Sequence, residues 1–95
     1  MTAEETINLI SEECDFVKNH LIKKNKAYGN SFADPIGIFS KLAPMEQLNV
    51  RIDDKLKRIL NTNEAAKAEV AEDTDLDLIG YLVLRRVLKR MGIES

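Results

Sequence analysis

Apolar residues at Ile7, Ile10, Cys14, Val17 and Leu21 recur every three or four positions, a spacing that gathers them into one stripe of an α-helix. Ahead of the stripe, Thr2-Ala3-Glu4-Glu5 matches a capping box, in which the Thr hydroxyl and the Glu5 carboxylate each satisfy an orphan backbone N–H. A first long helix is therefore predicted to begin at Thr2 and to stop at Gly29, a natural left-handed terminator, with Cys14 in its core face. Extended past Leu21, the stripe reaches Lys24, Asn25 and Tyr28, so the last turn presents polar groups where earlier turns present apolar ones. Leu9 and Phe16 lie off the stripe and either widen the core face or meet another subunit.

The same period returns at Met45, Leu48, Ile52, Leu56 and Ile59 behind Pro44, a residue suited to a first helical position. This second helix carries Arg51, Lys55 and Arg58 on its polar face, and Asp54 is spaced to pair with Arg51 and Arg58. Asn61-Thr62-Asn63 ends it. Glu72-Asp73-Thr74 starts a third helix, with a stripe of Leu76, Ile79, Val83 and Val87 that Leu78, Leu82 and Leu84 broaden. A helix so widely apolar calls for neighbours on more than one side, which in a short chain points to a homo-oligomer.

Two stretches interrupt the pattern. In residues 29–43, Asp34-Pro35 is expected to start a short helix bearing Ile36, Ile38, Phe39 and Leu42. Residues 64–71, rich in Ala and Glu, read as either a helix or a mobile linker. The expected fold is thus an all-α helical bundle of three long helices plus one short helix, completed by association of copies.

Composition agrees with that class. The chain has 95 residues, 44% hydrophobic and 32% charged, with few aromatics, four Gly and two Pro, which suits one helical domain over residues 1–95 and excludes an all-β sandwich. Its longest apolar run is far short of a membrane span and no signal-peptide pattern opens it, so a cytoplasmic location in a bacterial host cell is expected, with no membrane partner. Cys14 and His20 together are too few for a zinc site, and neither has the placed partner that nucleophilic catalysis needs.

Charge changes the picture more. The net charge of −2 averages over blocks: Glu4, Glu5, Glu12, Glu13 and Asp15 precede Lys18, Lys23, Lys24 and Lys26, and an acidic start likewise precedes Arg85, Arg86, Lys89 and Arg90. That order suits helix macrodipoles. A sequence pI near 5.4 argues against duplex nucleic acid as a partner.

Two constellations carry candidate chemistry. Lys24, Asn25, Lys26, Tyr28, Gly29, Asn30 and Ser31, taken with Arg51, Lys55 and Arg58, supply the fixed positive charge, donors and stacking surface that a nucleotide requires. The bland alternative is a polar helix end beside a solvated helix face. Glu69, Asp73 and Asp77, spaced by four, share a face if one helix runs through them, and Asp73 with Asp77 is the candidate Mg²⁺ pair. Acids enriched at a helix start explain the same residues without a metal. Asp77 stands apart because it lies inside the apolar stretch that opens the third helix. There a carboxylate needs a cation or a metal, and Arg51, Lys55 or Arg58 are the candidate partners.

The runs Lys24-Asn25-Lys26-Ala27-Tyr28-Gly29-Asn30-Ser31, Arg51-Ile52-Asp53-Asp54-Lys55-Leu56-Lys57-Arg58-Ile59 and Glu72-Asp73-Thr74 on to Asp77-Leu78-Ile79-Gly80-Tyr81 resemble small phage and prophage proteins of the nucleotide modification associated type. The resemblance implies a phage setting and a nucleotide connection. Asp77 four residues before Tyr81, with the tail Met91-Gly92-Ile93, is more distantly similar to MazG-like all-α nucleoside triphosphate pyrophosphohydrolases. Their second acid falls where this chain has Thr74, one place from Asp73, and their glutamate trio is matched only by Glu12 and Glu13. The expected function is binding of a nucleotide or nucleotide-derived signal, sequestered as counter-defence without catalysis. Alternatives are a Mg²⁺-dependent nucleotide pyrophosphohydrolase or nucleotide-modification accessory, and an interaction protein that inhibits a host protein.

Overall fold

A computed structural model describes residues 1–69 and 72–93. Four α-helices and no strand are present among them: α1 (Ala3–Ala27), α2 (Pro44–Leu60), α3 (Glu64–Ala68) and α4 (Thr74–Arg90). None is long and apolar enough to cross a membrane. The all-α class and the number of long and short helices match expectation. The chain divides into two compact units, Met1–Asn30 and Ser31–Ser95.

The first unit is α1 and its closing turn. The capping box forms as spaced: Thr2 Oγ1 accepts from the Glu5 N–H at 3.1 Å and Glu5 Oε2 accepts from the Thr2 N–H at 3.2 Å. At the other end the Tyr28 N–H donates to the Lys24 carbonyl, and Gly29 turns the chain at φ 59°. Asn30 follows at φ 64°, a left-handed conformation that Asn tolerates best among residues with a Cβ. Its N–H donates to the Asn25 carbonyl while the Asn25 side-chain amide donates to its Oδ1, so both asparagines close the helix end. No residue of α1 is buried. Cys14, expected in the core, is exposed, as are Ile7 and Ile10, because a unit of one helix has no second element of its own to cover a stripe. Phe16 stacks on His20 one turn later, with ring centroids 6.2 Å apart.

In the second unit α2 packs on α4 around Met45, Leu48 and Leu88, with Phe32, Ala33, Tyr81, Leu84 and Ile93 against them. The helices run antiparallel, since Met45 near the start of α2 meets Leu88 near the end of α4. Spacing explains the seam: Met45, Leu48, Ile52 and Lys55 descend α2 by three and four, and Asp77, Tyr81, Leu84 and Leu88 descend α4 by four and three. Leu48 and Leu88 are fully buried.

Three expectations are corrected here. Leu56 and Ile59 are exposed, because the α2 seam continues through Lys55 instead. Ile79 and Val83 are exposed as well, since α4 turns Tyr81, Leu84 and Leu88 to the core. No helix forms in residues 34–42: Gly37 takes φ 67°, outside the right-handed helical region, and Lys41 Nζ donates back to its carbonyl. The short helix is α3 instead, capped by the Asn63 side chain, which accepts from the Ala66 N–H at 3.0 Å. Of residues 64–71, positions 70 and 71 lie outside the described residues.

The start of α4 is as read, with Asp73 Oδ1 accepting from the Leu76 N–H at 2.9 Å. Its end is a Schellman cap: the Ile93 N–H donates to the Leu88 carbonyl at 2.8 Å and the Gly92 N–H to that of Lys89 at 3.1 Å. Gly92 takes φ 79°, and Ile93 folds back on the core as that motif favours. The tail Met91-Gly92-Ile93 thus has a local structural role.

Candidate functional site

Lys55 occupies the seam position that follows Ile52 on α2, so it enters a mostly apolar contact as a charge and needs partners there. Asp77, one turn into α4, supplies one oxygen, Oδ2, 3.0 Å from the ammonium. Glu72, just ahead of the α4 cap, supplies the second, and its other carboxylate oxygen holds the Arg58 guanidinium one turn further along α2. The two bases and two acids are arranged as a chain, Asp77–Lys55–Glu72–Arg58, that ties the end of α2 to the start of α4. Lys55 and Glu72 are largely buried, with side chains 13% and 16% exposed, whereas Arg58 is half exposed at 50%.

Burial acts most strongly on the Lys55 ammonium and lowers its pKa. The hydrogen bonds it donates to Glu72 and Asp77 and their negative charges together outweigh it and hold the group above its ordinary value of 10.5. Lys55 is therefore a committed cation in a neutralised cluster.

The other expected site residues fall as follows. Lys24, Asn25, Lys26, Tyr28, Gly29 and Asn30 belong to the first unit, and Ser31, Arg51, Lys55 and Arg58 to the second. Within the first, Tyr28 is exposed, and the amides of Asn25 and Asn30 bond each other. Within the second, Arg51 lies over the Tyr81 ring, 5.9 Å from its centroid, in cation–π geometry. The expected pairing of Asp54 with Arg51 and Arg58 does not form: packing of α4 brings Tyr81 to one and Glu72 to the other.

No protein-family model, curated protein or solved structure matches this chain. The chemistry rests on the residues themselves. Glu69, Asp73 and Asp77 do not share a helix, because α3 ends before Glu69 and α4 begins after Asp73. Asp73 is occupied as the α4 cap and Asp77 by Lys55, and among the described residues no group of three or more His, Cys, Asp or Glu side chains is placed to hold a metal.

Arg58 reaches further than the cluster. It lines an open cleft of about 440 Å³ formed by the end of α2, by α3 and by the start of α4. Lys67 of α3, Asn61 and Thr74 join it as donors; Ile59 and Ala66 give apolar wall; Glu72 and Asp75 give negative charge. Lys67 is only loosely engaged, 3.6 Å from the exposed Glu64. Sequence reasoning did not place Lys67, Asn61 and Thr74 here. Their one local signal was the run Asn61-Thr62-Asn63 that ends α2 and the Asp73 cap that starts α4.

Proposed function

We propose that this chain binds a small phosphate-bearing molecule, a nucleotide or nucleotide-derived signal, in the cleft beside α3, and that it holds the ligand without turning it over. The observation that carries this reading is the half-exposed Arg58 guanidinium on the cleft, oriented by Glu72 and joined by Lys67, Asn61 and Thr74. A guanidinium whose geometry is already fixed meets a phosphate with little further ordering. Ile59 and Ala66 offer an apolar wall to a base. Binding is favoured over hydrolysis because Asp73 and Asp77, the carboxylates a Mg²⁺ mechanism would use, are engaged by the Leu76 N–H and by Lys55. In the phage setting that the sequence resemblance implies, such binding would sequester a host messenger.

Calorimetric titration with ATP, a cyclic dinucleotide and inorganic phosphate tests this. At least one is expected to bind, and Arg58→Ala is expected to weaken it about 10- to 100-fold, the worth of a charge-assisted hydrogen bond. Absence of heat with all of them, or an unchanged affinity in Arg58→Ala, would overturn the reading.

One observation favours a second reading, an interaction protein. Ile36 is 85% exposed and Phe39 entirely so, on a segment whose backbone is pinned by Ser40 Oγ accepting from the Leu42 N–H and by Gln47 donating to the Leu42 carbonyl. A held apolar tip suits a partner's pocket. Phe39→Ser is then expected to abolish capture of a host protein while leaving nucleotide binding intact; capture unaffected by Phe39→Ser counts against it.

A further inference from the structure

We propose that α1 pairs antiparallel with α1 of a second copy of this chain. Its apolar stripe is laid out for a helical partner: Ile7, Ile10, Cys14, Val17 and Leu21 follow the alternating three-four spacing of a coiled-coil seam, and Ile7 and Ile10 are 64% and 58% exposed. Charge selects the occupant and its direction. From Ala3 to Asp15 the helix carries Glu4, Glu5, Glu12, Glu13 and Asp15 and no base; from Phe16 to Ala27 it carries Lys18, Lys23, Lys24 and Lys26 and no acid. Two such helices side by side in parallel set like charge against like along their whole length. Antiparallel, each acidic half lies along a basic half, and the helix is its own electrostatic complement. A two-fold axis near the middle of the stripe generates both contacts at once, as an isologous dimer requires.

The 25 residues of α1 span about 37 Å with a width of roughly 10 Å, a footprint smaller than the ~800 Å² per partner of a standard interface. The dimer is accordingly concentration-dependent.

Sedimentation equilibrium of the full chain between low micromolar and millimolar concentration is expected to show the mass rising from 10.8 kDa to twice that value. Ile10→Asp should weaken the association at least tenfold. Lys23→Glu with Lys24→Glu should do the same while leaving the stripe and the helix content by circular dichroism intact. Direction is read in a Cys14→Ser background, where a short bis-maleimide should join a Thr6→Cys chain to an Ala27→Cys chain in a mixture and join neither to itself. Self-linking of either variant would mean parallel pairing, and a chain that stays at 10.8 kDa at every concentration would leave the stripe to another occupant. Either outcome overturns the proposal.

Discussion

Leu88→Ala is expected to lower the melting temperature of the helical unit by more than about 10 °C. The side chain is wholly inaccessible and sits where α4 meets Met45 and Leu48 of α2. Deleting a buried leucine side chain costs about 2–5 kcal/mol in lost transfer energy and residual cavity. In a domain of this size each kcal/mol moves the midpoint by roughly 4–8 °C. The loss is also hard to absorb, because among the described residues the other buried hydrophobic side chains are Met45, Leu48 and Ile52, and Ile93 packs on the same cluster. Thermal melts followed by circular dichroism measure it. Ile79→Ala, on the exposed side of α4, is the control and should shift the midpoint by a few degrees at most. Equal shifts for the two would mean that α4 does not turn Leu88 inward.

The second large effect concerns Lys55. Lys55→Ala leaves Glu72 and Asp77, both largely shielded from water, facing each other without the ammonium between them. Removing one partner of a buried pair costs about 3–5 kcal/mol, and the remaining water access at this site brings the expectation below that range, to about 2–3 kcal/mol. Replacing the three shielded members together is different. Lys55→Met with Glu72→Gln and Asp77→Asn leaves only the half-exposed Arg58 without its partner, where water can solvate it, and is expected to recover most of the loss in urea unfolding. If the triple variant is no more stable than Lys55→Ala, unpaired acids are not the source of the loss, since methionine also keeps an apolar stem at this position. The cluster also predicts a pH dependence. Because the folded state holds the Lys55 pKa above its ordinary value of 10.5, its stabilisation is complete below that value and is lost as pH rises through the elevated one. Urea midpoints of the native chain should fall above about pH 10.5 more steeply than those of the triple variant, which lacks the group.

Helix ends were the most legible part of this chain. Thr2 with Glu5, Pro44, Asp73 and Gly29 each act through hydrogen bonds or φ preferences that reach only a few residues, so they read the same alone as in the fold. The short helix was misplaced for a comparable reason: Asp34-Pro35 is a sound start signal, but Gly37 in its left-handed conformation ends the run before a turn is complete.

The buried faces were legible only in part. Met45, Leu48 and Ile52 keep the period of α2 and are buried, but the same period runs on to Leu56 and Ile59, which are exposed. α4 is apolar on several sides, and several stripes fit its sequence equally well. The choice of Tyr81, Leu84 and Leu88 over Ile79 and Val83 belongs to the helix it packs against.

The charges divide the same way. Asp77 announced a need for a cation by standing among leucines, and Lys55 was one of three bases that fitted. Glu72 gave no such signal, because an acid ahead of a helix start is ordinary, and its grip on both Lys55 and Arg58 appears only when α2 and α4 lie side by side. The sequence by itself determined that the chain is helical, where its three long helices begin, and that α1 is acid at one end and basic at the other. Tertiary structure decided which bases are neutralised and which one faces a cleft. Local hydrogen bonds and dihedral preferences act over a single turn, whereas pairing of charges more than a dozen residues apart waits on the packing that brings them together.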